Sequence, residues 1–418
     1  MQLLRSPRGA AARLGSAGFP ILILAVVAFA SQVGVAVMLP LLPLYAIELG
    51  ADPFVLGLLT SAFAVTNAVG QLGGGFLADR FGARGLVPGG WAVYAACNLL
   101  IATAAAALPL IAYRSLAGLG AGVALSAERI YLAGIVDETV LAFANGILSA
   151  AGSAGALLGP AVGGLIAAVS DLRMPFLLVG ATSAVGVVVA LRFLPPERGR
   201  EAARSHDSAD AAGPSAAAPV AVPTSPRSAL AVLVVSNLAF SAAFGGFITT
   251  YSPYATARLG WSTTDIGILF SLFGLGNILI GPWLARRGDE RGRATWAVLS
   301  CIPVALYTAV FVSDLPQPVI YAAGVIAGGG VAGFGANWYA MLATVAGAER
   351  RGRRIGSVMA FSNLGLVVGA MGASAVWEGI DLRVAAVSPL VSVLVAAGTL
   401  LVLPQSAGMP RPRPAAAA

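Results

Sequence analysis

Long apolar runs make up most of the chain, and each is long enough to cross a lipid bilayer as an α-helix. About twenty residues are needed, because a helix rises about 1.5 Å per residue and the hydrocarbon core is about 30 Å thick. Runs of this length with few charges predict twelve helices. They lie near residues 19–46, 53–77, 86–106, 109–135, 140–168, 174–194, 229–256, 263–285, 294–313, 317–345, 354–378 and 383–404. The pattern therefore predicts an all-α polytopic membrane protein.

The twelve predicted helices fall into two sets of six, separated by a polar stretch. Residues 195–228 are rich in Ala, Pro, Ser and charged residues and cannot bury a core, so we expect a flexible cytoplasmic linker there. We predict an N-terminal half over residues 1–194 and a C-terminal half over residues 229–404. Residues 405–418 are expected to form a disordered tail.

A constant shift of 210 residues aligns the second half with the first without gaps. The matches include Gly50 with Gly260, Gly57 with Gly267, Asn67 with Asn277, Asp79 with Asp289, Gly82 with Gly292, Gly120 with Gly330, and Gly155 with Gly365. Six helices plus six in the same orientation are typical of transporters that rock around a substrate site near the bilayer midplane.

The composition excludes several classes of protein. With 58% hydrophobic and 10% charged residues, the chain has too little charge to cover a soluble domain. All 25 basic residues are arginine, so no phosphate-binding loop with a lysine is present and ATP-driven transport is excluded. The single His206 lies in the polar linker, and Cys97 and Cys301 lie far apart in apolar runs. We therefore expect no enzyme activity, no metal site and no cofactor.

The arginines are distributed unevenly between the predicted loops. With the N-terminus inside, 20 arginines lie on the cytoplasmic side and three lie outside. This bias places both termini in the cytoplasm and accounts for the net charge of +7 without a nucleic-acid partner. The all-arginine usage suggests a GC-rich bacterium, so we expect a multi-pass protein of the bacterial inner membrane, acting as a monomer.

The loop after the second predicted helix carries the first family motif. Gly75, Asp79, Arg80, Gly82 and Arg84 match the pattern G-x-L-a-D-R-x-G-r-r, which resembles the signature loop of the major facilitator superfamily. The resemblance implies that the aspartate braces an inner gate through basic groups and helix N-termini. An ordinary charged turn is the alternative. An alanine follows Gly82 where a basic residue is usual, so we expect fewer ion pairs around this loop.

The fifth predicted helix carries a second motif. Gly155, Gly159, Pro160, Gly163 and Gly164 match G-x-x-x-G-P-x-x-G-G, which resembles the antiporter motif of the twelve-helix drug:proton antiporter branch of that superfamily. Its glycines are expected to admit a neighbouring helix and its proline to bend the helix. A generic small-residue packing face is the alternative.

Two charges lie inside the fourth predicted helix, where charge is costly and marks function by default. The resemblance links Arg114 to proton transfer; a structural hydrogen bond to the first helix is the alternative. Glu128 lies on the same face about 21 Å away along the axis, so the two cannot touch on a straight helix. Glu128 is either the titrating carboxylate or an inner-gate partner of Arg80, Arg84 or Arg129.

The expected substrate site takes its polar and aromatic candidates from the first, seventh and tenth helices, a choice that rests on the fold the resemblance implies. These candidates are Gln32, Asn237, Phe240, Phe244, Asn337, Trp338 and Tyr339. A mostly apolar lining suits an amphipathic organic compound better than a sugar. Drug antiporters of this branch often carry an acid in the first helix, but residues 19–47 contain none, which weakens the case for proton coupling.

The function expected from these features is proton-driven export of a drug or metabolite. Uptake or facilitated movement of a metabolite, and a membrane sensor on a transporter fold, remain alternatives.

The topology can be tested directly. We expect reporter fusions placed within residues 195–228 to show the activity pattern of a cytoplasmic site, because the arginine bias favours that side. Fusions between the first and second predicted helices serve as the external control. A periplasmic signal from the linker fusions contradicts the orientation.

Overall fold

The computed structural model describes residues 18–136, 138–195, 226–313, 315–345 and 351–402. Within these ranges the chain forms thirteen α-helices and no β-strand, which confirms the predicted all-α fold. The helices are α1 Gly18–Glu48, α2 Pro53–Phe81, α3 Ala83–Ala102, α4 Ala107–Ile135, α5 Glu138–Val169, α6 Met174–Phe193, α7 Pro226–Leu259, α8 Thr263–Leu279, α9 Gly281–Arg291, α10 Arg293–Phe311, α11 Gln317–Val345, α12 Arg351–Gly379 and α13 Leu382–Leu401.

Within the described residues, the observed number of helices differs from the predicted number at the eighth span. One uninterrupted helix was predicted over residues 263–285, whereas α8 ends at Leu279 and α9 begins at Gly281. Pro282 lies in the first turn of α9 and has no backbone N–H to continue the ladder from α8. The break therefore follows from the proline, and the helical path continues to Arg291.

Eleven segments of the described chain are long and apolar enough to cross a membrane when α8 and α9 are taken as one. In α12 the apolar stretch Leu364–Gly379 is shorter than this within the described residues. These segments make the chain a multi-pass membrane protein.

The contacts divide the chain into two compact units. Among the described residues, unit 1 contains 18–39 and 65–195, and unit 2 contains 40–64 and 226–402. The C-terminal end of α1 and the N-terminal part of α2 therefore belong to unit 2. The predicted linker and tail lie almost wholly outside the described residues, and their boundaries stay predictions.

The backbone repeats at the offset of 210 residues. The glycines with positive φ form two pairs at this spacing, Gly50 (83°) with Gly260 (67°) and Gly82 (85°) with Gly292 (114°). Each lies in a tight connection between two helices, where a side chain would strain the backbone. The repeat deduced from residue matches is thus present in the chain geometry.

Close helix pairs also repeat. A Cβ atom added at Gly120 of α4 would lie 2.7 Å from the carbonyl oxygen of Gly90 in α3. The equivalent atom at Gly330 of α11 would lie 2.5 Å from the carbonyl oxygen of Ser300 in α10. Helices in lipid gain stability from such van der Waals contact, since burial from water does not drive their association.

This packing predicts opposite effects for two glycines of α4. Gly120→Ala places a methyl group against the α3 backbone and should lower the free energy of unfolding by about 1–3 kcal/mol. Gly134→Ala adds a methyl group with no atom within 4 Å and should be neutral, or stabilising by up to about 1 kcal/mol through helix propensity. Unfolding of the purified proteins in mixed detergent micelles measures both. Equal stability of the two variants contradicts the described packing.

Candidate functional site

The signature loop is a one-residue turn between α2 and α3. Gly82 adopts the left-handed backbone that the turn requires, and its N–H donates to the carbonyl of Ala78 at 2.9 Å. Arg84, in the first turn of α3, donates from Nε to the carbonyl of Leu194 at 2.9 Å. This bond ties the loop to the end of α6 within unit 1.

The other loop residues are oriented outward. Asp79 and Arg80 are exposed, and the Arg80 guanidinium lies 5.5 Å from the centroid of the Phe81 ring. A side chain at Gly75 would meet no atom within 4 Å, so this glycine is not required by packing within the described residues. The gating role of the loop stays a prediction.

The repeat copy of the loop contains a basic residue that the sequence analysis did not single out. Arg293 follows Gly292 at the position equivalent to the alanine after Gly82, and its side chain pairs with Asp289 at 3.0 Å. It also donates to the Ala340 carbonyl at 3.2 Å, which ties this loop to α11. The feature of the sequence that could have identified this contact is an arginine directly after the turn glycine.

The motif in α5 packs against α1. Added Cβ atoms would lie 2.5 Å from the carbonyl oxygen of Phe29 at Gly155, and 2.7 Å from that of Val33 at Gly159. Gln32 lies in the same contact, since its Cγ is 3.4 Å from the Cβ position of Gly152. The remaining motif residues are buried in the described chain: Pro160, Gly163 and Gly164. The glycines thus admit the α1 backbone, as either interpretation of the motif expects.

Glu128 is a buried carboxylate with one neutral donor. Only 5% of the residue is exposed, and its Oε1 accepts a hydrogen bond from Trp91 Nε1 in α3 at 2.6 Å. Within the described part of the chain, Glu128 is in no ion pair with an arginine. The sequence analysis found Glu128 but missed Trp91, because an indole in an apolar run gives no sign of which helix it faces.

Arg114 lies on the same helix and is also buried, with 6% exposed. Tyr94 of α3 is fully buried as well. Tyr94 in turn meets Trp91 edge to face, with ring centroids 5.5 Å apart. The Trp91–Tyr94 ring pair of α3 therefore contacts α4 at Glu128.

Two substrate candidates of the C-terminal half are buried and hydrogen-bonded within unit 2. Trp338 is 1% exposed and donates from Nε1 to the Leu233 carbonyl at 2.9 Å. Asn337 is 2% exposed and donates to the Gly333 carbonyl at 2.8 Å. Their role in substrate binding stays a prediction: in this structure Trp338 joins α11 to α7, and Asn337 donates within α11 and to the Leu284 carbonyl of α9 at 3.4 Å.

The other candidates of unit 2 are more accessible. Phe244 of α7 and Tyr339 of α11 are exposed, and Asn237 is half-buried. Phe240 is half-buried and stacks on Phe334 with ring centroids 3.9 Å apart. An exposed aromatic and a half-buried amide on α7 leave an amphipathic surface along this helix.

A family comparison decides what this architecture is. The model of the Major Facilitator Superfamily matches the chain twice, over residues 24–254 and 233–418. The chain belongs to this superfamily. It is a transporter with the fold that its two-fold repeat predicted.

Relatives and solved structures are consistent with this assignment. The chain is 26% identical to the quinolone resistance protein NorA of Staphylococcus aureus strain COL over 67% of the chain and 71% of the relative. The match to NorA of strain MSSA476 spans 58% of that relative.

A bacterial homologue of the human lysosomal transporter Spinster, in an inward-facing conformation, superposes with a TM-score of 0.74 at 16% identity, covering 93% of this chain and 98% of that one. A D-xylose-proton symporter gives 0.71 at 16%, covering 92% and 98%. These structures share the fold.

The Trp91–Glu128 contact predicts an energetic coupling between the two residues. In a double-mutant cycle, Trp91→Phe and Glu128→Leu should show a coupling of about 1–3 kcal/mol in the free energy of unfolding, because each change removes one partner of the hydrogen bond. Phenylalanine keeps the ring contact with Tyr94 but removes the donor, and leucine removes the acceptor. Trp296→Phe, a half-buried tryptophan of unit 2, should combine additively with Glu128→Leu. Additivity in both cycles contradicts the contact.

Proposed function

We propose that this transporter exports a small amphipathic organic compound across the bacterial inner membrane in exchange for protons. The observation that carries the proposal is the buried carboxylate Glu128, hydrogen-bonded to Trp91 inside unit 1. A charge within a membrane helix is expensive and is kept where a transported ion or substrate requires it.

Proton coupling requires an acid that binds and releases a proton during the transport cycle. Glu128 suits this role because it is buried in a membrane-spanning helix and its one hydrogen bond comes from an uncharged donor. The Trp91 indole can donate to either form, so it holds the side chain in place without fixing its charge. In the alternative role Glu128 is an inner-gate partner of Arg80, Arg84 or Arg129. The charge of Arg129 acts on the Glu128 carboxyl group, although no described arginine forms an ion pair with it.

Arg114 is proposed as a second coupling residue. A guanidinium stays protonated in a protein, so Arg114 supplies a fixed positive charge in the outer part of α4. Both Arg114 and Glu128 are buried, and they lie 14 residues apart on one face of this helix.

The proposed substrate class follows from the accessible candidates. Phe244 and Tyr339 present aromatic surface, and Asn237 and Gln32 add two amides, while sugars need many hydrogen bonds. The NorA relative is named for quinolone resistance, and quinolones are aromatic and amphipathic. These features support a drug-like or metabolite substrate that binds chiefly through apolar contact.

The signature loop is proposed to act as a cytoplasmic gate. Asp79, Arg80 and Arg84 place charges of both signs at the turn, and the Arg84 bond to Leu194 fixes the turn to α6. With both termini in the cytoplasm, this turn faces the inside of the cell. The chain is proposed to act as a monomer without a cofactor.

Facilitated transport of a metabolite is the second candidate. The observation that favours it is the absence of any acid in residues 19–47, where Gln32 stands as the polar residue. Such a transporter would equilibrate its substrate without a response to the proton gradient.

The test is a flux assay with variants of two glutamates. A resistance profile of an overexpressing strain first selects a compound, which is then followed in proteoliposomes with and without an imposed pH gradient. Glu128→Gln is expected to abolish concentration of the compound against its gradient and to leave its binding within about twofold. Glu378→Gln, at an exposed helix end, should behave like the unaltered protein.

Two outcomes count against the proposal. If Glu128→Gln still concentrates the compound in response to the pH gradient, Glu128 is not the coupling acid. If the unaltered protein only equilibrates the compound and ignores an uncoupler, facilitated transport is the correct function.

A further inference from the structure

A surface cleft of about 490 Å³ lies beside the signature loop, at the end of unit 1 where α2 and α6 finish and α3 begins. Its walls include Phe81, Pro88 and Leu191. Phe81 and Leu191 are among the exposed large apolar residues of the described chain, 66% and 62% accessible. The cleft therefore has apolar walls that open outward.

One arginine lines the cleft, and two more adjoin its lining residues in the sequence. Arg84 is a lining residue, and its bond to the Leu194 carbonyl holds the guanidinium at the cleft. Arg80 precedes the lining residue Phe81, and Arg192 follows Leu191; both are exposed. Among the residues that the structure describes, no acidic side chain lines the cleft, and Asp79 lies two residues before Phe81.

We propose that this cleft binds the headgroup of an anionic phospholipid of the cytoplasmic leaflet. The arginines contact the phosphate, which guanidinium groups bind in a bidentate manner, and the acyl chains lie along the apolar walls. Two features select this occupant over a soluble anion: the cleft lies at the ends of membrane-crossing helices, and its walls are apolar. The predicted cytoplasmic location matches the leaflet whose negative charge attracts arginines.

The cleft contains a position where it can be filled without disturbing the fold. Gly85 lines it, and a Cβ atom added there meets no atom within 4 Å. Gly89, one turn further along α3, is equally open but does not line the cleft. Gly85→Leu and Gly89→Leu therefore make the same chemical change on the same helix face, one inside the cleft and one outside it.

The test compares lipid binding to these variants by native mass spectrometry of the full chain in detergent. We expect the unaltered protein to retain phosphatidylglycerol about tenfold more than phosphatidylcholine, and Gly89→Leu to do the same. Gly85→Leu should remove the preference because leucine occupies the cleft. Arg84→Gln should reduce it at least threefold through loss of one charge.

Three results overturn the proposal. Equal retention of the two lipids by the unaltered protein shows an apolar cleft with no headgroup selectivity. If Gly85→Leu keeps the preference for phosphatidylglycerol, the lipid binds elsewhere, or residues 196–225 of the chain itself occupy the cleft. Full competition by glycerol 3-phosphate at millimolar concentration shows that the cleft selects a soluble phosphate.

Discussion

The close approach of α3 and α4 is the constraint on which the proposed coupling site depends. Helices in lipid are held by direct packing, and glycines at Gly90 and Gly120 let these two backbones touch. Trp91 follows Gly90 directly, so the same contact brings its indole within 2.6 Å of Glu128. A side chain at either glycine would separate the helices and leave a buried carboxyl group without its donor, which is costly in an apolar environment. Small residues thus create the position in which a carboxyl group can be kept inside the membrane.

The two halves share this backbone plan but not its charge. At the offset of 210 residues Glu128 corresponds to Trp338, and Arg114 corresponds to Gly324. Trp338 donates to the Leu233 carbonyl, so in unit 2 an uncharged hydrogen bond holds the helices together at the place where unit 1 has its carboxylate. This difference between the units supports the proposal that unit 1 binds the transported proton and that aromatic residues of unit 2 contact an apolar substrate.

Helix positions were predictable because lipid imposes a length and a composition on each span. The repeat was predictable because the turn glycines match at a fixed offset, and the structure gives these glycines a positive φ. Buried charges were predictable because a charge in an apolar run is itself a signal. The rotation of each helix about its axis was not predictable, since spans that are apolar on all sides carry no stripe that marks the packed face. For this reason the helix contacts of Asn337, Trp338 and Trp91 could not be assigned from the sequence. The interruption before α9 was missed because Pro282 lies in a run whose average hydropathy is high.

The central claim is that Glu128 changes protonation while it is held by Trp91. Infrared difference spectroscopy of the reconstituted protein after a pH step tests this claim most directly, because a protonated carboxyl group has its own carbonyl stretch. The account predicts a carboxylic-acid band that is present in the unaltered protein, absent in Glu128→Gln and shifted in frequency in Trp91→Phe. Identical difference spectra for the unaltered protein and Glu128→Gln would contradict it.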